Sequence, residues 1–589
     1  ARRRLRLTRL VAALLEARPD LGPPSAAPAL AEALARLLDE MHREGVALDA
    51  LTRAAPVEHA RHWETTLAFL DLLRETWPAI LAADEGGAMD PEARRRAAVE
   101  RLAADWAATP PETPILAAGS TGSVATTALL LQAIARLPQG AIVLPGFDPV
   151  RAAEVWERIG PEHPWRGFRR LVEALGLAPD AVPYWTDGPW PAPERRRLLA
   201  EAMRPAPVTD AWRAARSTLA GEAAAATTGL TLIEAPDPRR EAEAIALALR
   251  DSLETPGRRA ALVTPDRTLA RRVAAALARW GVEPDDSGGR PLALTPPGVF
   301  LKLVAATGFA PWDPVALLGL LKHPLADPAG DRGAWLGAVR RFEIRALRAR
   351  PEIAGVAEAA AAHRDTRDAE TDDPLGLALD RLAALSALDT APLENLAAAH
   401  LDAAAALAPA LWDKLAGEAA RVAAQAFRGA AEVYGPCPPA DYPALFAAGL
   451  EGEVREEAFR PDPRVAIWGP LEARMQTADL VILGGLNEGV WPEAPGPDPW
   501  LSRPMRAALG LPEPERRIGL SAHDVLQAAA APEAVLSRAL KADGAPTAPS
   551  RWLARLTTLL GGVDADAVAA MRERGRRWTA LVDPVARPE

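Results

Sequence analysis

The chain has 589 residues, one cysteine and a formal net charge of −10, from 68 Lys plus Arg against 78 Asp plus Glu. That length exceeds one ordinary core and predicts several domains, while the lone Cys437 excludes an intramolecular disulfide framework and any cluster held by several cysteines of this chain. The charge argues against a wholly basic nucleic-acid binder but leaves room for one basic channel, because binding follows local rather than total charge. No uninterrupted apolar run reaches membrane-spanning length, so no membrane partner is expected, and the cysteine usage makes the cytoplasm the default compartment.

At the N-terminus, ARRRLRLTRLVAALLEA mimics a signal peptide, but Arg9 interrupts its apolar part and no small-residue cleavage site follows. There is no initiator Met, and the chain is expected to begin partway through a longer protein. Residues 1–110 read as helices. Leu5, Leu7, Leu10, Val11, Leu14 and Leu15 make one apolar face, and Trp63, Leu67, Leu70 and Trp77 another. Within this stretch His59 and His62 lie one helical turn apart and could ligate a metal, though no carboxylate or cysteine constellation accompanies them; a helix face is the plainer reading. The arginine runs at 2–6, 94–96 and 195–197 read as solvated helix faces, or alternatively as the lining of a DNA channel.

A strand–loop–helix–strand unit follows at 113–148, TPILAAGSTGSVATTALLLQAIARLPQGAIVLPGFD. Its loop, Gly119 to Ser123, sits where parallel sheets keep their chemistry. Three readings stay open: a turn with Ser123 capping the helix that begins near Val124, a contact of Ser120, Thr121 and Ser123 with a DNA phosphate, or a bound nucleotide. Helices are predicted near 149–159, 165–176, 193–203 and 207–220. A second α/β unit starts near 230 with the strands LTLIEA and RAALVTP, gives way to Ala- and Leu-rich helices from about 298 to 452, and resumes at RVAIWG, DLVILGG and EAVLS. The strands near 230, 260, 465 and 480 are expected to share one sheet although helices separate them.

The lysines are Lys302, Lys322, Lys414 and Lys541, in the contexts LKL, LKH, DKL and LKA. None is a Gly-Lys-Ser/Thr, so the chain contains no phosphate-binding P-loop, and no G-x-G-x-x-G occurs. None of the four has an acidic residue two positions earlier.

The layout and wording resemble the AddB family, the partner subunits of the AddAB helicase–nucleases of bacterial double-strand break repair, in an alphaproteobacterial-like form. The resemblance runs from about 113 to 556 and is most specific at ILAAGSTGS…AIVLPGFD, LEARMQTADLVILGGLNEGVWPEAP and GAPTAPSRWLARL. It implies an α/β fold of two split RecA-like, superfamily 1 helicase-like domains with large all-helical insertions. The implied division is a helical insertion (1–112), the rest of the first RecA-like domain with following helices (113–222), the start of the second (223–297), its helical insertion (298–455), its remainder (456–560) and a helical linker toward an absent nuclease (561–589). The P-loop would lie upstream of residue 1.

Matched to active motors of that superfamily, the positions that would order Mg²⁺ and water are Ala118, Gly119, Thr121 and Gly122. The γ-phosphate-sensing turn keeps only Asp148, Thr264 stands where an Arg is usual, and Ala529 falls near the place of a second Arg. Arg474 takes the place of a Lys that joins DNA binding to the ATP site; it either touches a phosphate of a threaded strand or pairs with Glu472 or Asp479. Trp491 reads as core rather than as a base-stacking platform. The resemblance therefore implies an ATPase-inactive DNA-binding scaffold, a heterodimer with an AddA-type motor–nuclease, and single- and double-stranded DNA ends as ligands. No cofactor is expected in this chain; Mg²⁺, ATP and an iron–sulfur cluster belong to the intact helicase–exonuclease. An active helicase with its P-loop upstream, or a helical scaffold without nucleic acid, are the alternatives.

Overall fold

The computed structural model describes residues 1–54, 60–83, 89–186, 188, 191–205, 210–366, 373–455, 461–494, 496 and 498–586, without the side chains of 52–54, 60–65 and 583–586. His59 and the side chain of His62 thus lie outside the described residues. The chain divides into two compact units, one of Ala1–Leu38, Ala60–Trp77 and Gly289–Glu456, the other of Asp39–His59, Pro78–Gly288 and Glu457–Glu589.

The first unit is helical, and Ala1–Leu38 and Ala60–Trp77 share it with the long helical stretch, while the helix Pro91–Ala108 goes with the α/β unit at 113–148. Helices Pro296–Phe309, Pro374–Ser386, Leu393–Leu407 and Lys414–Ala430 enclose a core of Ala, Leu and Phe side chains. Small Ala faces let these helices approach closely, which is how so Ala-rich a sequence still fills its interior. His400 is buried at the centre, bonded at Nε2 to the Leu301 carbonyl (2.9 Å) and at Nδ1 to the Tyr442 hydroxyl (2.8 Å). Arg290–Pro291 and Glu453–Val454 pair antiparallel, so the chain leaves on this excursion and returns from it at adjacent points.

The second unit carries the parallel strands. β1 (Ile115–Ala118) and β2 (Gly140–Val143) form a two-stranded parallel pair. β3 (Leu230–Ala235), β4 (Ala260–Val263), β5 (Pro284–Asp286), β6 (Asp462–Trp468), β7 (Leu480–Leu483) and β8 (Glu533–Ala539) form a six-stranded parallel sheet in the order β3-β8-β7-β4-β6-β5. The strands predicted at 230, 260, 465 and 480 do share this sheet. Its faces follow the two-residue period of a strand. Leu232, Val263, Leu483 and Leu536 pack on the helices Pro193–Ala202, Arg516–Ala529 and Arg551–Val563, while Ile233, Leu262, Ile482 and Val535 pack on Pro238–Ser252 and Arg267–Ala278. Helices on both faces explain why the strands read as unbroken apolar runs rather than as alternating ones.

Two arrangements depart from the sequence reading. Arg195, expected on a solvated face, is 1% exposed and donates to the carbonyls of Ala226, Thr228, Ala531 and Pro532. Its guanidinium joins the ends of two helices at the base of β3 and β8, which a charge-run argument does not see. The stretch after 560, expected as a helical linker, is helical over Ala565–Ala586 but packs against edge strand β3. Gly575 lets it approach, since a Cβ there would lie 1.8 Å from the Leu232 carbonyl oxygen, and Arg574 donates to the Leu230 carbonyl. The helix covers an otherwise open sheet edge. Among the described residues no helix is long and apolar enough to cross a membrane.

Glu241, in the first turn of Pro238–Ser252, is buried under the C-terminal ends of β7 and β8. It accepts from the Gly485 N–H (2.9 Å) and from the Ser537 hydroxyl, clamping the crossover after β7 to the sheet. Burial raises its carboxyl to about 7, with Ser537 and Gly485 pulling the other way, Asp266 adding to the rise and Arg538 opposing it. The folded protein holds this proton more tightly than the unfolded chain, so the stabilisation is complete below the ordinary carboxylate range and is lost as pH rises through about 7. Buried His163 and His400, held down to about 3 and about 4 by desolvation, act with the opposite sign once pH falls below 6.5. Above about pH 6.5, where the two histidines no longer oppose it, the melting temperature should fall with rising pH and level off once pH has passed about 7, the one-proton limit being about 1.4 kcal/mol per unit. Glu241→Gln should flatten that slope in a calorimetric pH series; an unchanged slope would remove Glu241 as its source.

Candidate nucleic-acid interface

The ends of β1 and β2 meet the second sheet's surroundings directly. After β2, Pro145-Gly146-Phe147-Asp148 turns into the helix Pro149–Val155, whose N-cap is Asp148, accepting from the Arg151 N–H at 3.1 Å. Asp148 also accepts from the Tyr184 hydroxyl (3.2 Å), so the one suggestive acid of this turn serves as a cap. Phe147 is wedged edge-on among Trp156, Trp165 and Phe168, and Trp165 donates to the Gly146 carbonyl (3.1 Å). Gly146 has φ +67°, and a Cβ there would collide with the Gln527 side-chain amide.

Arg474 corrects both partners expected for it. It makes a bidentate pair with Asp524, at 2.7 and 3.1 Å, rather than pairing with Glu472 or Asp479. Asp479 instead accepts from the Arg259 N–H (2.9 Å). His523 Nδ1 faces the same Asp524 carboxylate at 3.1 Å, and its Nε2 donates to the Pro145 carbonyl at 2.9 Å. The pair is nearly closed to solvent, with side-chain exposures of 13% and 7%. A cavity of about 320 Å³ remains here, lined by Arg196, Trp468, Arg474, Gln476 and Gln527 among others. The sequence signal for the pair was absent because its members lie 50 residues apart.

The loop Gly119 to Ser123 answers to geometry rather than to the predicted cap. The helix Ala125–Ala135 has Val124 as N-cap with no side-chain capping bond, so Ser123 does not cap it. Gly119 and Gly122 take φ of +83° and +62°, and the Ser120 hydroxyl accepts from the Gly122 N–H (3.2 Å). Thr121 is 4% exposed, so its hydroxyl is not offered to a solvent-side strand. Ser123 gives its carbonyl to Arg516 (2.9 Å) and lines a second cavity.

The remaining candidate positions are inert. Ala118 carries no polar group, Ala529 is buried, and Thr264 is fully buried with its hydroxyl accepting from the Asp266 N–H (3.1 Å). No carboxylate stands in the Gly119–Ser123 loop, so these residues do not fit a Mg²⁺–nucleotide complex. Among the described residues no group of three or more His, Cys, Asp or Glu could hold a metal ion. Cys437 is buried, its thiol pushed up to about 12 by desolvation, and does not suit an iron–sulfur cluster. Trp491 is core, fully buried and donating to the Gly484 carbonyl (3.0 Å). The chain matches no protein-family model, and a search of curated proteins gives no match.

Removing one partner of a buried pair strands the other, at a cost of about 3–5 kcal/mol. Asp524→Ala should therefore lower unfolding stability in urea by that order, while the double change R474M/D524L should recover most of it. A loss below about 1 kcal/mol for Asp524→Ala would show that the pair behaves as an exposed one and does not tie the cleft.

Proposed function

We propose that this chain is an AddB-type, helicase-like module without an ATPase of its own, acting as scaffold and DNA-strand channel beside an AddA-type motor–nuclease in the processing of double-strand ends. In this reading 113–148 belongs to a first RecA-like domain and the six-stranded sheet to a second. The single observation that carries the reading is the cleft at the ends of β1 and β2. There α/β folds place phosphate chemistry, yet the loop offers no acid or lysine, and Arg474, nearly closed to solvent, is neutralised by Asp524.

Support comes also from the chain order. A parallel sheet begun by β3 to β5, interrupted by a helical unit and completed by β6 to β8 is the layout of a split motor domain. In such a motor, Mg²⁺ and the arginines neutralise the transferring phosphate; Ala118, Gly119, Thr264 and Ala529 supply none of that. With its charge already paired, Arg474 braces the helix Arg516–Ala529, whose His523 reaches the Pro145 carbonyl after β2. Strand binding falls to the remaining surface, through contacts with phosphates that weaken with salt.

The purified chain should release no phosphate from ATP above background with Mg²⁺ and saturating single-stranded DNA. It should also leave labelled linear DNA uncut. DNA-stimulated hydrolysis that follows the protein through several columns would overturn the proposal.

A further inference from the structure

Beside the Gly119–Ser123 loop lies a cavity of about 300 Å³, lined by Ser123, Arg166, Gly167, Arg170, Glu513 and Arg516 among others. Its wall is the helix Arg166–Ala174, which buries Phe168, Leu171 and Val172 and has neither a side-chain cap nor an acid in its first turn. Arg169 on this helix is paired with Glu173 (2.7 Å) and donates to the Trp156 carbonyl. Arg166 and Arg170 are different: they line the cavity, and neither makes a side-chain hydrogen bond or ion pair among the described residues. Four residues apart, they repel each other, and Arg166 sits at the positive end of the helix dipole. Arg166 is half-buried and Arg170 exposed, so the repulsion is small and both guanidiniums stay open to a ligand from solvent.

The rest of the cavity is rigid. Arg516 is held by Glu44 (2.8 Å) and the Ser123 carbonyl, so its charge is already matched. Glu513 is exposed at the rim. Gly167 lies so close to the Thr121 carbonyl that a Cβ would come within 2.4 Å of its oxygen, and Gly519 is equally close to the Pro161 carbonyl (2.6 Å). Two tight backbone approaches thus fix two walls before any ligand arrives, which lowers the ordering cost of binding.

We propose that this cavity is a phosphate-binding notch in which Arg166 and Arg170 grip backbone phosphates of a single DNA strand, with the open helix N-terminus and the Ser123 hydroxyl beside them. The proposal rests on the DNA-binding reading above and deepens it. The chemistry is that of two guanidiniums without protein partners facing a tetrahedral oxyanion. It carries no base readout, so binding there is indifferent to sequence.

The test titrates the full chain with fluorescein-labelled oligothymidylate over a salt series, comparing wild type with R166A/R170A and R166K/R170K. Both arginines lack partners, so the variants should keep the wild-type melting temperature. The double alanine change should weaken binding about tenfold at low salt. It should also make the plot of log affinity against log salt shallower by about 0.7 for every phosphate no longer neutralised, with the lysine pair restoring most of the slope. A wild-type slope and affinity in R166A/R170A overturns the notch and leaves the DNA-binding reading standing. No oligothymidylate binding by the wild type removes that reading and the strand assignment with it. A parallel arm measures melting with inorganic phosphate. If phosphate stabilises the wild type but not R166A/R170A while oligothymidylate binding is untouched, the notch takes free phosphate and the strand assignment is overturned.

Discussion

Asp524 is the residue on which the arrangement of the second unit turns. Its carboxylate receives both nitrogens of Arg474 and faces His523, whose far nitrogen reaches the Pro145 carbonyl at the end of β2. One buried negative charge thus connects a loop after β6, the helix before β8 and the turn after β2. A charge in so dry a place is tolerable only because each of its neighbours is aimed at it. The same contacts use up the polar groups that a nucleotide-binding cleft would need to keep free.

Packing reinforces this electrostatic tie. The Gly146 turn accepts the Gln527 amide where any side chain would collide, and the Phe147 cluster with Trp156, Trp165 and Phe168 holds the turn from the other side. His523 lies edge-on against Phe168, so the aromatic cluster and the ion pair share a member. Cores of this density move between discrete arrangements rather than deforming smoothly. In the proposed reading the two α/β parts have exchanged a nucleotide-driven hinge for a fixed frame, which suits a strand channel whose motor resides in another subunit.

Much of the fold was legible because burial on both faces writes short apolar runs such as LTLIEA, DLVILGG and EAVLS, which read as strands. Asp237, Asp266 and Thr295 cap their helices with side chains that suit the position. The capping residue at Gly119–Ser123 was misread because Ser123 has the right chemistry one position too early; the chain reaches the helix through Val124 instead. Long-range polar partners were not legible at all. Nothing local in LEARMQT points to Asp524, nothing in PERRR to four carbonyls around Arg195, and nothing in REAEA to a clamp on Gly485. The 195–197 run shows the limit clearly: Arg195 is buried, Arg196 lines the cleft and Arg197 pairs with Glu222, three fates for one residue type in a row.

In the proposed reading this chain binds a DNA strand through a fixed, nucleotide-independent frame. The most direct measurement is the anisotropy of a labelled single strand titrated with the purified chain at low salt, with and without Mg²⁺–ATP. The account predicts binding in both cases, with superimposable isotherms. No binding, or an affinity that Mg²⁺–ATP changes, would contradict it.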